Sequence, residues 1–462
     1  MRQENSLTQG NIFKELVKLA IPIMGTSFLQ MAYNMVDMIW IGRVGSKAVA
    51  AVGTAGFFLW LAMAFIRISQ IGAEVGVAQS IGKEDIKEAR NYAQSAIQLN
   101  FVIAISYGLF LILLRRPLIS FFNIADSYVV EMSIDYLSIA AMGSIFFFAN
   151  PVLSGIFNGS GKSRPPFAIN TIGLIVNMIL DPLLIFGVGP LPAMGVKGAA
   201  IATVIAQMIV TITFLIYIKR DTSVMSGVRF FLAPRVDYIK RIVKIGYPAA
   251  LQSGMFTIFA MFIARIIASW GPLPIAVQKV GSQIESISWM TANGFATALS
   301  AFVGQNYGAG KWKRVNKGYF TALGIMTVIG LTTSLLLILC ARPIFALFIP
   351  EEEAIAYGVV YLRILGLSQL FMCLEIATAG AFNGLGRTLP PSIVSIIFTG
   401  LRIPAAWILS RPELLGLNGV WWSISLSSVF KGIILVMWFI RENYKGSNSS
   451  DYKIEQKKVR YE

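Results

Sequence analysis

Long apolar runs dominate this chain. Stretches of mostly apolar residues lie near 16–41, 48–79, 93–114, 134–157, 167–188, 195–218, 242–269, 274–305, 318–341, 358–382, 390–410 and 417–440. A hydrocarbon core about 30 Å thick needs roughly 20 such residues in helical form. The runs are too long for strands and too many for one soluble core, so they predict an all-α polytopic membrane protein with twelve transmembrane helices. Short polar segments rich in Gly and Pro separate them.

The pattern occurs twice, at an offset of about 226 residues. Pro22 matches Pro248, Ala78-Gln79 with Gly82 matches Gly304-Gln305 with Gly308, and Arg116-Pro117 matches Arg342-Pro343. Phe157-Asn158-Gly159, Gly161 and Pro165-Pro166 match Phe382-Asn383-Gly384, Gly386 and Pro390-Pro391, one residue shorter. Gly195 and Gly198 match Gly416 and Gly419. The expected organisation is an N-lobe over 1–218, a basic linker over 219–241, a C-lobe over 242–440 and a tail over 441–462. Each lobe holds an even number of spans, so both have one orientation, as parallel repeats. A hydrophobic chain of two such halves points to a transporter.

Composition agrees: 56% of the 462 residues are hydrophobic and 13% are charged. The net charge of +16 could suggest nucleic acid. Most of the 39 lysines and arginines instead fall in alternate loops, with clusters at Lys219–Lys244 and in the tail from Arg441. That is the positive-inside pattern, which predicts a multi-pass cell-membrane protein with both termini cytoplasmic. No nucleic-acid partner is expected, and short loops leave no room for a soluble catalytic domain. Cys340 and Cys373 have no metal-binding spacing and read as packing residues. With no histidine anywhere, His-based metal sites and Ser-His-Asp catalysis are excluded, and no enzyme activity is expected. The first apolar stretch is long and belongs to the repeat, so it is read as a span and not a cleaved leader.

The polar residues inside the spans are more specific. An ionised group in hydrocarbon is costly, so an intramembrane acid faces the interior. Span one carries Thr26, Gln30, Asn34 and Asp37 at steps of four, four and three, hence on one face. Span five carries Asn170, Asn177 and Asp181 at steps of seven and four. Span four carries Tyr136 and, four apart, Asn150, Ser154 and Asn158. These stripes predict one shared N-lobe cavity. Asp37 and Asp181 both lie late in spans of the same direction, so they can approach each other. Two adjacent carboxylates are not both ionised cheaply: one holds a proton, or a cation such as Na⁺ sits between them. Asn177 can add a carbonyl oxygen and Thr203 a hydroxyl. The plainer reading is that both acids cap frayed helix ends.

The second half lacks this pair. Ile263 stands where Asp37 does, and Arg402 and Ala406 stand at Asn177 and Asp181. Its own acids, Glu285 and Glu375, are secondary candidates for a proton or cationic-substrate site, or members of internal salt bridges. Pro22 and Pro248 remove a backbone hydrogen bond and predict a kink in the first span of each half.

Together these features resemble the multidrug and toxic compound extrusion (MATE) family of the MOP flippase superfamily, over essentially the whole chain. The motifs that carry the resemblance are Gly304–Gly310 (GQNYGAG), Phe157–Pro166 (FNGSGKSRPP), Phe382–Pro391 (FNGLGRTLPP) and Leu180–Gly187 (LDPLLIFG). The resemblance implies two six-helix bundles around a cleft that opens alternately to each side. It implies export of drug-like, amphipathic and often cationic compounds in exchange for H⁺ or Na⁺, with no other cofactor, by a monomer in the bilayer. The DinF-like branch is closest, with Asp37, Asn177, Asp181 and Thr203 as its coupling site. Gln30, Asn34, Tyr136, Asn150 and Ser154 would line the substrate cavity. The NorM-like branch places acids in spans seven and ten. Met255–Met261 has none, and Glu375 lies about a turn from that position. A lipid-linked saccharide flippase of the same superfamily is the alternative, which a basic cavity would fit better.

Overall fold

A computed structural model describes residues 7–124, 126–187, 192–220 and 234–448. Most of the expected linker, and the tail beyond 448, lie outside the described residues. Everything regular among the described residues is helical. The first half supplies α1 (Ile12–Val44), α2 (Ser46–Gly82), α3 (Ile86–Ser120), α4 (Ser127–Met142), α5 (Ser144–Gly159), α6 (Arg164–Phe186) and α7 (Val196–Arg220). The second supplies α8 (Val236–Ala268), α9 (Pro272–Gly308), α10 (Trp312–Leu339), the short α11 (Ala341–Ala346), α12 (Glu352–Gly366), α13 (Gln369–Gly384), α14 (Leu389–Gly400), α15 (Arg402–Leu409) and α16 (Leu417–Asn448).

Among the described residues, eight stretches are long and apolar enough to cross a membrane, α14 with α15 counting as one. Two further spans are broken: α4 and α5 meet at 52°, and α12 and α13 at 48°. Span four therefore breaks at Gly143 and span ten at Leu367–Ser368, where the sequence gives continuous runs. Gly143 lies against α7, and a Cβ there would come 2.5 Å from Val204. α1 and α9 have ample length, 33 and 37 residues. They are less apolar because they carry the polar residues Gln30, Asn34 and Asp37, and Lys279, Gln283 and Glu285. Pro22 sits inside a continuous α1, where Thr26 Oγ1 donates to the Pro22 carbonyl at 3.0 Å.

The chain divides into two compact units, Ile21–Ala250 and Met1–Ala20 with Leu251–Glu462. The boundaries differ from the expected lobes: the start of α1 belongs with the second half, and the start of α8 with the first. The contacts explain why. In the second unit, Leu7 N–H donates to Gln305 Oε1 at 3.1 Å, and Asn306 Nδ2 donates to the Leu7 carbonyl at 3.2 Å. Lys311 Nζ reaches the Thr8 carbonyl at 3.0 Å, and Arg314 donates to the carbonyls of Gln9 and Gly10 at 2.6 and 2.8 Å. Side chains of the GQNYGAG segment, and of Lys311 and Arg314 just after it, thus hold main-chain atoms of the N-terminal residues. In the first unit, Tyr238 of α8 stacks edge-on against Tyr92 at 5.0 Å and accepts from Asn91 Nδ2 at 3.2 Å.

The repeated glycines set close helix contacts. A Cβ on Gly159 of α5 would lie 2.3 Å from the Glu74 carbonyl of α2, and one on Gly384 of α13 would lie 2.4 Å from the Ser300 carbonyl of α9. Small residues at such crossings let backbones approach where burial in lipid supplies little driving force. Along α2, Ala48, Ala51, Ala55, Ala62 and Ala73 are buried for the same reason. The result is a tightly packed α2–α5 frame, beside which α1, α6 and α7 present their polar groups.

Candidate functional site

The site lies within the unit Ile21–Ala250. Asp37 comes from α1, Asn177 and Asp181 from α6, and Thr203 from α7. Asn177 and Asp181 are one helical turn apart and wholly buried, and Asn177 Nδ2 donates to Asp181 Oδ1 at 3.1 Å. The Asp37 carboxyl lies in hydrogen-bonding range of the Asp181 carboxyl, the Asn177 amide and the Thr203 hydroxyl. Both acids sit inside their helices, more than a turn from either end. They are therefore not end caps. Pro182 follows Asp181 inside α6 and removes the N–H that would bond the Met178 carbonyl.

Two further groups complete the surroundings. Tyr33, one turn before Asp37, has its hydroxyl near Thr203 and within electrostatic range of both acids. Tyr136 of α4 is buried and lies within electrostatic range of both acids as well. Sequence reasoning missed Tyr33, because a tyrosine in an apolar helix reads as packing. Its spacing of four from Asp37 was the available signal.

Five oxygens here are buried without a well-formed hydrogen bond: Tyr33 Oη, Asp37 Oδ1, Asn177 Oδ1, Asp181 Oδ2 and Thr203 Oγ1. Buried polar atoms are nearly always partnered, so such a group needs an explanation. Two carboxylates cannot approach in a dry interior without something positive between them. The donor set, carboxylates with an amide oxygen and hydroxyls, suits a hard cation or a proton.

The other candidates lie elsewhere. Gln30 and Asn34 are exposed; Asn34 points about 100° round α1 from Tyr33. The Asn150 amide donates to Gln207 Oε1 at 2.7 Å, and its oxygen accepts from Thr211 Oγ1 at 2.8 Å, so it ties α5 to α7. Ser154 lies 3.5 Å from Asn170 Nδ2.

In the second unit the equivalent place is apolar. Ile263 and Ala406, at the positions of the two acids, pack with Ile267 and Val420, and Ile424, at the position of Thr203, packs against them. Arg402, at the position of Asn177, donates to the hydroxyls of Ser427 and Ser428. Glu375 is paired with Lys431 at 3.0 Å, both side chains about nine-tenths buried. Glu285 lies beside Tyr361 and Gln369 and leaves Oε1 unpartnered.

A family model described as MatE matches residues 22–183 and again 248–408. The chain belongs to the MatE family. The two matches coincide with the two sequence repeats. Among relatives of this MatE chain, a probable multidrug resistance protein NorM of Thermotoga maritima is 28% identical over 93% of this chain and 92% of its own. A probable multidrug resistance protein YpnP of Bacillus subtilis is 27% identical over 94% and 96%. A solved structure of a multidrug resistance MATE family transporter of the MOP superfamily, in an outward-facing conformation, superposes with a TM-score of 0.89 at 25% identity, covering 96% of this chain and 98% of that one. The MatE chain is thus an all-α polytopic membrane protein of the transporter kind.

Proposed function

We propose that this MatE chain is a secondary active multidrug exporter that moves amphipathic, often cationic compounds out of the cell in exchange for H⁺ or Na⁺ by alternating access. The observation that carries the coupling half of this reading is the buried Asp37–Asp181 pair with its unpartnered oxygens. The relatives' names support the multidrug half. Ion entry at the pair relieves the repulsion between the carboxylates and lets Asn177, Thr203 and Tyr33 turn their oxygens toward it. Loss of the ion leaves two charges that the interior holds poorly, so the pair favours whichever conformation admits water. An ion drives transport only if it binds the two conformations unequally, and this pair supplies that difference. The site's acids and neutral oxygens support the DinF-like branch. The saccharide-flippase alternative needs basic groups for a pyrophosphate, and this site has none.

The test is efflux of a fluorescent organic cation from proteoliposomes, with a Na⁺ gradient and a pH gradient imposed separately. One of the two is expected to drive export against the substrate gradient. Equal, passive rates under both would contradict antiport.

A further inference from the structure

The second unit carries a surface feature that antiport does not use. The last two turns of α8 and the length of α15 flank an open groove of about 480 Å³ lined by Phe262, Arg265, Ile266, Ile403, Pro404 and Trp407. Every lining residue but Arg265 is apolar. Arg265 is exposed and has no hydrogen bond or ion pair among the described residues. Beside it, the Arg411 guanidinium stacks over the Trp407 ring at 5.1 Å from its centroid, and Trp407 itself is 63% exposed. The scaffold does not demand this arginine: its counterpart in the first half, by the repeat offset, is Ile39.

Position in the bundle gives the feature meaning. Arg265 lies in the last turn of α8, which ends at Ala268, and Trp407 in the last turn of α15, which ends at Leu409. Both stand at the end of the spans, where tryptophan and arginine meet the headgroup layer. A guanidinium on an apolar membrane surface is costly unless it reaches up to an anion. Guanidinium groups fork naturally onto phosphate oxygens. Two arginines flank one tryptophan, neither forms an ion pair with a described carboxylate, and an apolar trough runs below them. We propose that this groove binds an anionic phospholipid, its phosphate held by Arg265 and Arg411 and one acyl chain laid along Phe262, Ile266, Ile403 and Trp407. The same charges repel the cationic compounds proposed as cargo, which sets the groove apart from the transport path.

The experiment is native mass spectrometry of the full-length protein in detergent, titrated with phosphatidylglycerol or phosphatidylcholine of the same chain length. Wild type is expected to bind one phosphatidylglycerol about tenfold more tightly than phosphatidylcholine, a difference of about 1.4 kcal/mol. Arg265→Gln is expected to lose that preference, Arg265→Lys to keep part of it, and Lys279→Gln, which removes an exposed charge elsewhere, to keep all of it. No lipid preference in wild type, an unchanged preference in Arg265→Gln, or an equal loss in Lys279→Gln would each overturn the proposal. Displacement of the lipid by millimolar inorganic phosphate alone would show a free-anion site and would overturn it too. Circular dichroism and melting curves of each variant establish that it is folded before lipid is added.

Discussion

Asp181→Asn is expected to lower ion-driven efflux by about tenfold to a hundredfold, the range of a typical coupling free energy, while leaving the amount of folded protein unchanged. The substitution is nearly isosteric, and the new side-chain amide keeps an oxygen for the Asn177 amide, which in the wild type donates to Asp181 at 3.1 Å. What is lost is the second carboxylate. With one acid gone, Asp37 no longer has a neighbour whose charge makes ion binding sensitive to conformation. Asp37→Asn is expected to cost as much, and the double variant little more than either, because residues that act as one unit do not add. Initial rates in proteoliposomes, normalised to protein that elutes as a single species, check this. A single variant at the wild-type rate would contradict it.

The second large effect concerns stability. Lys431→Met leaves Glu375 buried without its cation, and breaking a buried pair by removing one partner costs about 3–5 kcal/mol. The pair is separated by 3.0 Å with both side chains about nine-tenths buried, so solvent screens it little. Glu375→Gln should also destabilise, since it strands the ammonium. The combination Glu375→Gln with Lys431→Met is expected to regain most of the loss, because an uncharged pair of similar volume packs as well as an ionic one. Melting temperatures in detergent measure this, and efflux by the double variant should stay near wild type. Single variants that melt normally but do not transport would instead make Glu375 part of the coupling machinery.

The spans, their duplication and the meeting of Asp37 with Asp181 were legible in the sequence because each rests on a period or a cost that lipid enforces. Run length gives the span, the offset gives the repeat, and an acid in hydrocarbon demands an interior partner. What was not legible depends on tertiary contact. The 52° break falls at Gly143, where a Cβ would come 2.5 Å from Val204 of α7, and the 48° break at Leu367–Ser368; no apolar run records either. The pairing of Glu375 with Lys431 joins α13 to α16, far apart in sequence. Asn34 and Asp37 share a helical stripe only loosely, and the difference in arc leaves Asn34 exposed while Tyr33 turns toward the acids. The start of each half groups with the other unit through contacts that hydrophobic patterning does not report: the carbonyls of Leu7 to Gly10, just before α1, accept from Asn306, Lys311 and Arg314, and Tyr238 of α8 meets Tyr92 and Asn91.

The most direct test of the central claim, that Asp37 and Asp181 form the one ion-coupling site, is ion release on substrate binding. A solubilised protein in weak buffer would be mixed with tetraphenylphosphonium while pH is followed by a dye, and in parallel bound ²²Na⁺ would be counted before and after. Wild type is expected to release one of the two ions, and Asp37→Asn and Asp181→Asn to release neither while still binding the cation. Undiminished release from the double variant would place coupling elsewhere and contradict the account.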